Sequence, residues 1–209
     1  MEPAADDYRI PATAAIGHVH LKVADLDRAV AFYEGVLGFT LVLRLPDNTA
    51  AFLAAGDYHH HIALNTWLSR DGTPAPRRHT GLYHLAVRLP TRRDLAVAVR
   101  RVLAAGIRLE GVADHGVSES VYLTDPDGNG VELTRDRRFD EWPRRPDGTL
   151  DMAMADPLDL DAEPPRNDGG HLARPGQDVL RRASGDGGPR HRLAFLLPCD
   201  REPPAQHER

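Results

Sequence analysis

The chain has 209 residues, a hydrophobic content of 41% and a formal net charge of −5. That is enough apolar material for one large domain, or a domain with a tail, while an acidic balance with no basic run before residue 160 argues against a nucleic-acid partner, which needs a basic face to displace phosphate counterions. The single cysteine, Cys199, excludes an intramolecular disulfide and a cysteine-rich zinc site; no apolar run is long enough for a bilayer, and MEPAADDYRI lacks a secretion-signal pattern, so a soluble cytoplasmic protein is expected, with no membrane partner.

Residues 1–13 read as a flexible N-terminus. In IGHVHLKVADLDRAVAFYEGVLGF (16–39) a strand comes first, with His18, His20 and Lys22 alternating against Val19, Leu21 and Val23. A helix follows: Asp25 is its N-cap, Leu26, Ala29, Val30, Tyr33 and Leu37 form its apolar stripe, and Gly38 supplies a left-handed stop. Strands are expected at roughly 40–45, 50–55 and 60–66, the last headed by YHHHIALN (58–65). The loop WLSRDGTPAPRRHTG (67–81) comes next, a candidate lid or oligomer contact.

The same plan then repeats about 66 residues on, in LYHLAVRLPTRRDLAVAVRRVLAAGI (82–107). His84, Ala86 and Arg88 alternate with Leu85 and Val87, Thr91 and Asp94 resemble a capping box, Leu95, Val99, Val102 and Leu103 form the helical stripe, and Gly106 ends it. Strands at 107–111, 119–124 and 130–135 complete the copy, with DPDGNG (125–130) as the hairpin turn between the last two. The fold class is therefore α+β: two βαβββ modules, about 14–66 and 82–136, within a domain spanning 14–140. Residues 141–162 are expected to pack on that domain, and the Gly-, Pro-, Arg- and Asp-rich stretch 163–209, with His171, His191 and His207, to be a disordered tail.

Each opening strand must turn its apolar face to its helix, which leaves the polar face for a cleft between the modules. His18 and His84 hold matching positions in the two opening strands, and Glu132, between Val131 and Leu133, points away from the helix-covered face of the last strand. Two imidazoles and a carboxylate with open positions left over suit Fe(II), and also Mn(II) or Zn(II). Each of the three, taken singly, has an ordinary alternative as a hydrogen-bonded or solvated strand residue.

GHVHLKVADLDRAVAFYEGVLGF, GLYHLAVRLP and YLTDPDGNGVEL, within residues 14–140, resemble the vicinal oxygen chelate superfamily, which includes glyoxalase I, extradiol ring-cleaving dioxygenases and drug-sequestering resistance proteins. The resemblance implies paired modules forming a half-barrel cleft, and a metal held by His18, His84 and Glu132. Glyoxalase-like members supply a fourth ligand from the last strand of the first module, where Ala63 stands here. The catechol 2,3-dioxygenase-like branch is therefore the nearer one. Similarity to extradiol enzymes implies His61 as acid–base catalyst, Tyr122 on the substrate hydroxyl and His115 near bound oxygen; His20 is second to the metal or structural, and His59 and His60 are mostly solvated or outlying. The best-known extradiol enzymes carry two module pairs and this chain has one. The implied activity is Fe(II)-dependent cleavage of a small catechol-like aromatic diol with O2, yielding a semialdehyde-type product in aromatic catabolism. A glyoxalase-like lyase or isomerase, or a metal-free drug-binding module, are the alternatives, and a homodimer is a family-level expectation.

Overall fold

The computed structural model describes residues 8–76, 78–153, 156 and 158. The expectations for residues 1–7, for the 163–209 tail with Cys199, and for most of 154–162 lie outside the described residues. The first module runs β1 (Val19–Lys22), α1 (Leu26–Val30), β2 (Thr40–Arg44), β3 (Ala50–Ala54) and β4 (Ile62–Asn65). The second runs β5 (His84–Arg88), α2 (Arg92–Ala104), β6 (Gly111–Asp114), β7 (Ser118–Thr124) and β8 (Gly130–Asp136). Both sheets have the same strand order, β1-β4-β3-β2 and β5-β8-β7-β6, as a duplicated unit requires.

Local chemistry explains the boundaries. Asp25 caps α1 by accepting the Arg28 N–H. Past Val30 the helix widens to π-helical Ala31–Val36, with the Leu37 N–H reaching back to the Phe32 carbonyl. Gly38, at φ 88°, then lets the Phe39 N–H close on the Tyr33 carbonyl. The Arg101 guanidinium satisfies two further carbonyls at this helix end, donating to Gly35 at 2.7 Å and Val36 at 2.8 Å. Thr91 and Asp94 form the expected contact at the start of α2, the Asp94 N–H donating to the Thr91 hydroxyl at 3.1 Å. In the α2 stripe Leu95, Val99 and Val102 are buried but Leu103 is 53% exposed, so the inward arc is narrower than expected. The strand expected at 107–111 begins only at Gly111, residues 107–110 lying outside any strand.

In the first sheet β1 pairs parallel with β4, setting Val19 opposite Ile62 and His20 opposite Ala63, and β3 pairs antiparallel with β4, setting Phe52 opposite Ala63. Residues facing one another in a ladder share a side of the sheet. Leu21, Leu53, Ile62 and Leu64 thus form the buried side, while His20, Phe52 and Ala63 share the other.

Two compact units divide the chain. One gathers the described residues up to Val87 with Ala98–Arg108 and Leu123–Glu132; the other holds Arg88–Val97, Leu109–Tyr122 and the described residues from Leu133 onward. Within the first, the β7–β8 turn is tied to α1. Buried Asp125 accepts from the Asp127 and Asn129 N–H groups at 2.9 and 2.8 Å, from Asn129 Nδ2 at 2.9 Å and from the Tyr33 hydroxyl at 3.0 Å. Asp127 accepts from the Ala24 N–H and from Arg28 at 2.9 and 2.7 Å.

Candidate metal and substrate site

His84 opens β5 and Glu132 lies on β8, both in the first unit. His84 Nε2 stands 3.0 Å from Glu132 Oε2, and the carboxylate is largely buried. The two strands approach closely because of Gly130: a Cβ there would lie 2.2 Å from the Tyr83 carbonyl oxygen and 3.0 Å from the His84 Cβ. Only glycine admits that approach.

Two atoms bound at right angles to one divalent ion, each about 2.1 Å away, are themselves about 3.0 Å apart. The His84–Glu132 separation therefore fits two sites of one coordination sphere as well as it fits a hydrogen bond. His18 stands apart from them: it precedes β1, is exposed, and places its ring 4.4 Å from that of His60. Among the described residues no group of three or more His, Cys, Asp or Glu side chains is close enough to hold an ion. The structure thus brings two of the three expected ligands together, and the donor set, two imidazoles and a carboxylate, fits a divalent ion chemically.

On the His20 side of the first sheet lies a group of rings that alternation alone did not reveal. His20 Nε2 accepts from Asn65 Nδ2 across 2.8 Å, and its ring packs edge-on to Trp67 at 5.5 Å. His60 touches both His18 and Phe52, with centroids at 4.4 and 5.2 Å, and shares a 2.7 Å Nδ1–Nδ1 hydrogen bond with His59. Burial, followed by the charges of His18, His59, His20 and His61, holds His60 below the ordinary histidine range. Burial and then His18 do the same for His20. Both rings are therefore biased toward the neutral form that a metal or a proton can use.

Alternation carried back through a β4 starting at residue 60 makes His60 solvated or outlying. The strand starts at Ile62, so strict alternation does not extend back to the histidines. His61 keeps a ladder position by its backbone, its carbonyl accepting from Val19 and its N–H donating to Leu53. Its side chain turns to the β3 end, where Nδ1 accepts the Ala55 N–H at 3.2 Å and the ring lies on Tyr58 at 4.7 Å. Neutral His61 therefore carries its proton on Nε2. Ala63 is fully buried at the place where a fourth ligand was considered, and it offers no donor atom.

In the second unit, His115 Nε2 and the Tyr122 hydroxyl are 2.7 Å apart. His115 Nδ1 donates to the Ala153 carbonyl at 2.9 Å. These two expected site residues therefore form a pair of their own. No residue-type signal marks the backbone group from beyond β8 that completes it.

A family model described as the Glyoxalase/Bleomycin resistance protein/Dioxygenase superfamily matches residues 15–133, more than half of the chain. Similar curated proteins include a catechol-2,3-dioxygenase of Bacillus subtilis (strain 168), 42% identical over 112 residues that cover 53% of this chain and 39% of that one. A biphenyl-2,3-diol 1,2-dioxygenase of Rhodococcus globerulus is 34% identical, with 59% of this chain and 64% of that one covered. A lactoylglutathione lyase of Neisseria meningitidis is 27% identical over 59% of this chain and 92% of its own length. The match thus spans less than two thirds of each of the two dioxygenases. Among solved structures, a glyoxalase/dioxygenase from Nostoc punctiforme superposes with a TM-score of 0.52 at 21% identity, covering 65% of this chain and 100% of that one, which shows the shared fold.

Proposed function

Because the chain belongs to the glyoxalase/bleomycin resistance protein/dioxygenase superfamily, we propose that it is a metal-dependent extradiol-type dioxygenase acting on a catechol-like aromatic diol with O2. The carrying observation is the 3.0 Å His84–Glu132 pair at the close approach of β5 and β8, in a chain that is 42% identical over 112 residues to a protein named catechol-2,3-dioxygenase.

His84 and Glu132 would hold Fe(II), with Mn(II) or Zn(II) as alternatives, and His18 would close on the ion as the third ligand. When bound, a divalent ion lowers the pKa of hydroxyls that chelate it. Three protein ligands, with Ala63 contributing none, would leave open positions for a chelating diol. His61 presents Nε2–H and donates to an anionic ligand oxygen; acting as general base at Nδ1 requires it to release the Ala55 N–H. His60 and Phe52 supply an aromatic wall beside His18. On the strength of the family resemblance Tyr122 is assigned the substrate hydroxyl, and His115, whose nitrogens meet the Ala153 carbonyl and Tyr122, would bear on the developing charge through Tyr122. Ring opening beside the diol consumes one O2 and gives a semialdehyde-type product.

The test is anaerobic reconstitution with Fe(II), then catechol and air, with oxygen uptake and a yellow ring-fission product as the readout. Absence of both, with Fe(II) bound, would count against the dioxygenase. The second reading, a glyoxalase-like lyase or isomerase, is favoured by the near-complete coverage of the lactoylglutathione lyase; Ala63 counts against it, since that chemistry would need another base.

A further inference from the structure

We infer that the segment beyond β8 is a positioning element: the Ala153 carbonyl fixes the His115 tautomer, and through it makes the Tyr122 oxygen a hydrogen-bond acceptor toward its ligand. A carbonyl can only accept, so the 2.9 Å contact to Nδ1 places the proton of neutral His115 on that nitrogen. Nε2 is then an acceptor, and across 2.7 Å the Tyr122 hydroxyl must donate to it. With its one proton committed, the phenolic oxygen offers only lone pairs to anything else. A ligand meets an acceptor there and is selected for a protonated hydroxyl; an ether at that position would present lone pair to lone pair.

The surroundings are built to hold this polarity. The His115 N–H donates to the Ser118 carbonyl at 2.9 Å, and the His115 carbonyl accepts from Ala153 at 3.1 Å. Asp114 and Asp156 exchange both backbone hydrogen bonds, at 2.9 and 3.0 Å, so Asp156 forms an antiparallel bridge to the end of β6. The Asp114 carboxylate accepts from Gly116 at 2.8 Å and from Arg137. Gly116 has φ 75°, and a Cβ there would lie 2.9 Å from Pro143 Cγ, so the turn beside the histidine is closely covered. Tyr122 in turn is held in register opposite Gly111, its carbonyl accepting from Glu110 at 2.7 Å. The imidazole is fixed at both nitrogens while its backbone is clamped on both sides.

The assignment of a ligand to Tyr122 rests on the proposed function, whereas the tautomer does not. Long-range proton–nitrogen correlation spectra of the 209-residue chain with labelled histidine, without metal or substrate, are expected to show His115 predominantly as the Nδ1–H form. Ala153→Pro, which removes the N–H to His115 and displaces the carbonyl, should shift the tautomer ratio roughly tenfold toward Nε2–H. Tyr122→Phe should leave the Nδ1–H form in place, because the carbonyl and not the phenol sets it. A dominant Nε2–H form in the unaltered protein overturns the inference, as does a tautomer that follows Tyr122→Phe and ignores Ala153→Pro. In turnover, the tyrosine's preference for a diol over its mono-methyl ether should shrink about tenfold in Ala153→Pro; an undiminished preference overturns the ligand-facing half alone.

Discussion

Gly130→Ala sets two effects of opposite sign against each other. In an unconstrained strand the replacement would stabilise by about 0.5–1 kcal/mol, because alanine loses less backbone freedom on folding. Here the added methyl carbon would lie 2.2 Å from the Tyr83 carbonyl oxygen, where ordinary carbon–oxygen contact is about 3.3 Å, and also 3.0 Å from the His84 Cβ. The deficit of roughly 1 Å falls on backbone, which cannot swing aside as a side-chain end can, so overpacking of about 1–3 kcal/mol or more is expected. A net loss near 2 kcal/mol lowers the melting temperature of a domain this size by about 4–8 °C. The same displacement separates His84 from Glu132, and loss of the 3.0 Å pairing should weaken divalent-ion binding by about 10–100-fold, the range seen when ligand-supporting groups are lost. Differential scanning calorimetry and Co(II) titration followed in the visible spectrum read the two effects separately. A Gly130→Ala protein with unchanged melting temperature and unchanged Co(II) affinity would refute the close-approach argument; unchanged affinity in a destabilised protein would refute only the role of the pair.

His84→Ala should abolish Fe(II) retention on gel filtration, whereas His61→Ala should keep the metal and lose turnover; turnover preserved in the latter removes His61 from the chemistry. Tyr33→Phe deletes one of four donors to buried Asp125 and should cost about 1.5–3 kcal/mol in urea unfolding, the range for a hydrogen bond to a charged group. Burial, and after it Asp125, raises the Tyr33 pKa, so above pH 10 the unfolded chain ionises this phenol first and stability falls with rising pH. Tyr33→Phe should flatten that alkaline decline relative to the unaltered chain. Thr91→Ala removes the acceptor of the Asp94 N–H and should cost about 1 kcal/mol by the same unfolding measurement.

The architecture was legible because duplication writes itself twice. Asp25 and Thr91 as caps, Gly38 and Gly106 as stops, and alternation through His20 and Leu85 all encode local geometry, and the equal strand orders follow. The pairing of His84 with Glu132 was legible for the same reason, since both lie in strands whose polar faces the pattern marks. What escaped was whatever depends on irregular backbone. His60 lies before β4, where parity has no force, and its approach to His18 and Phe52 comes from the bend at 58–61. The outward drift of Leu103 reflects an arc narrower than the four apolar positions suggest. The Ala153 carbonyl carries no residue-type signal at all, since every residue offers the same group.

The tie between Tyr33 and Asp125 also dictates an order of events at the ribosome. Ninety-two positions separate donor from acceptor, so α1 emerges from the exit tunnel with its tyrosine hydroxyl unanswered, and at ordinary elongation speeds the partner follows roughly 5–20 s later. Through that interval the nascent first half cannot finish its own interior, and its completion belongs to the strand-turn sequence DPDGNG made near the end of the second.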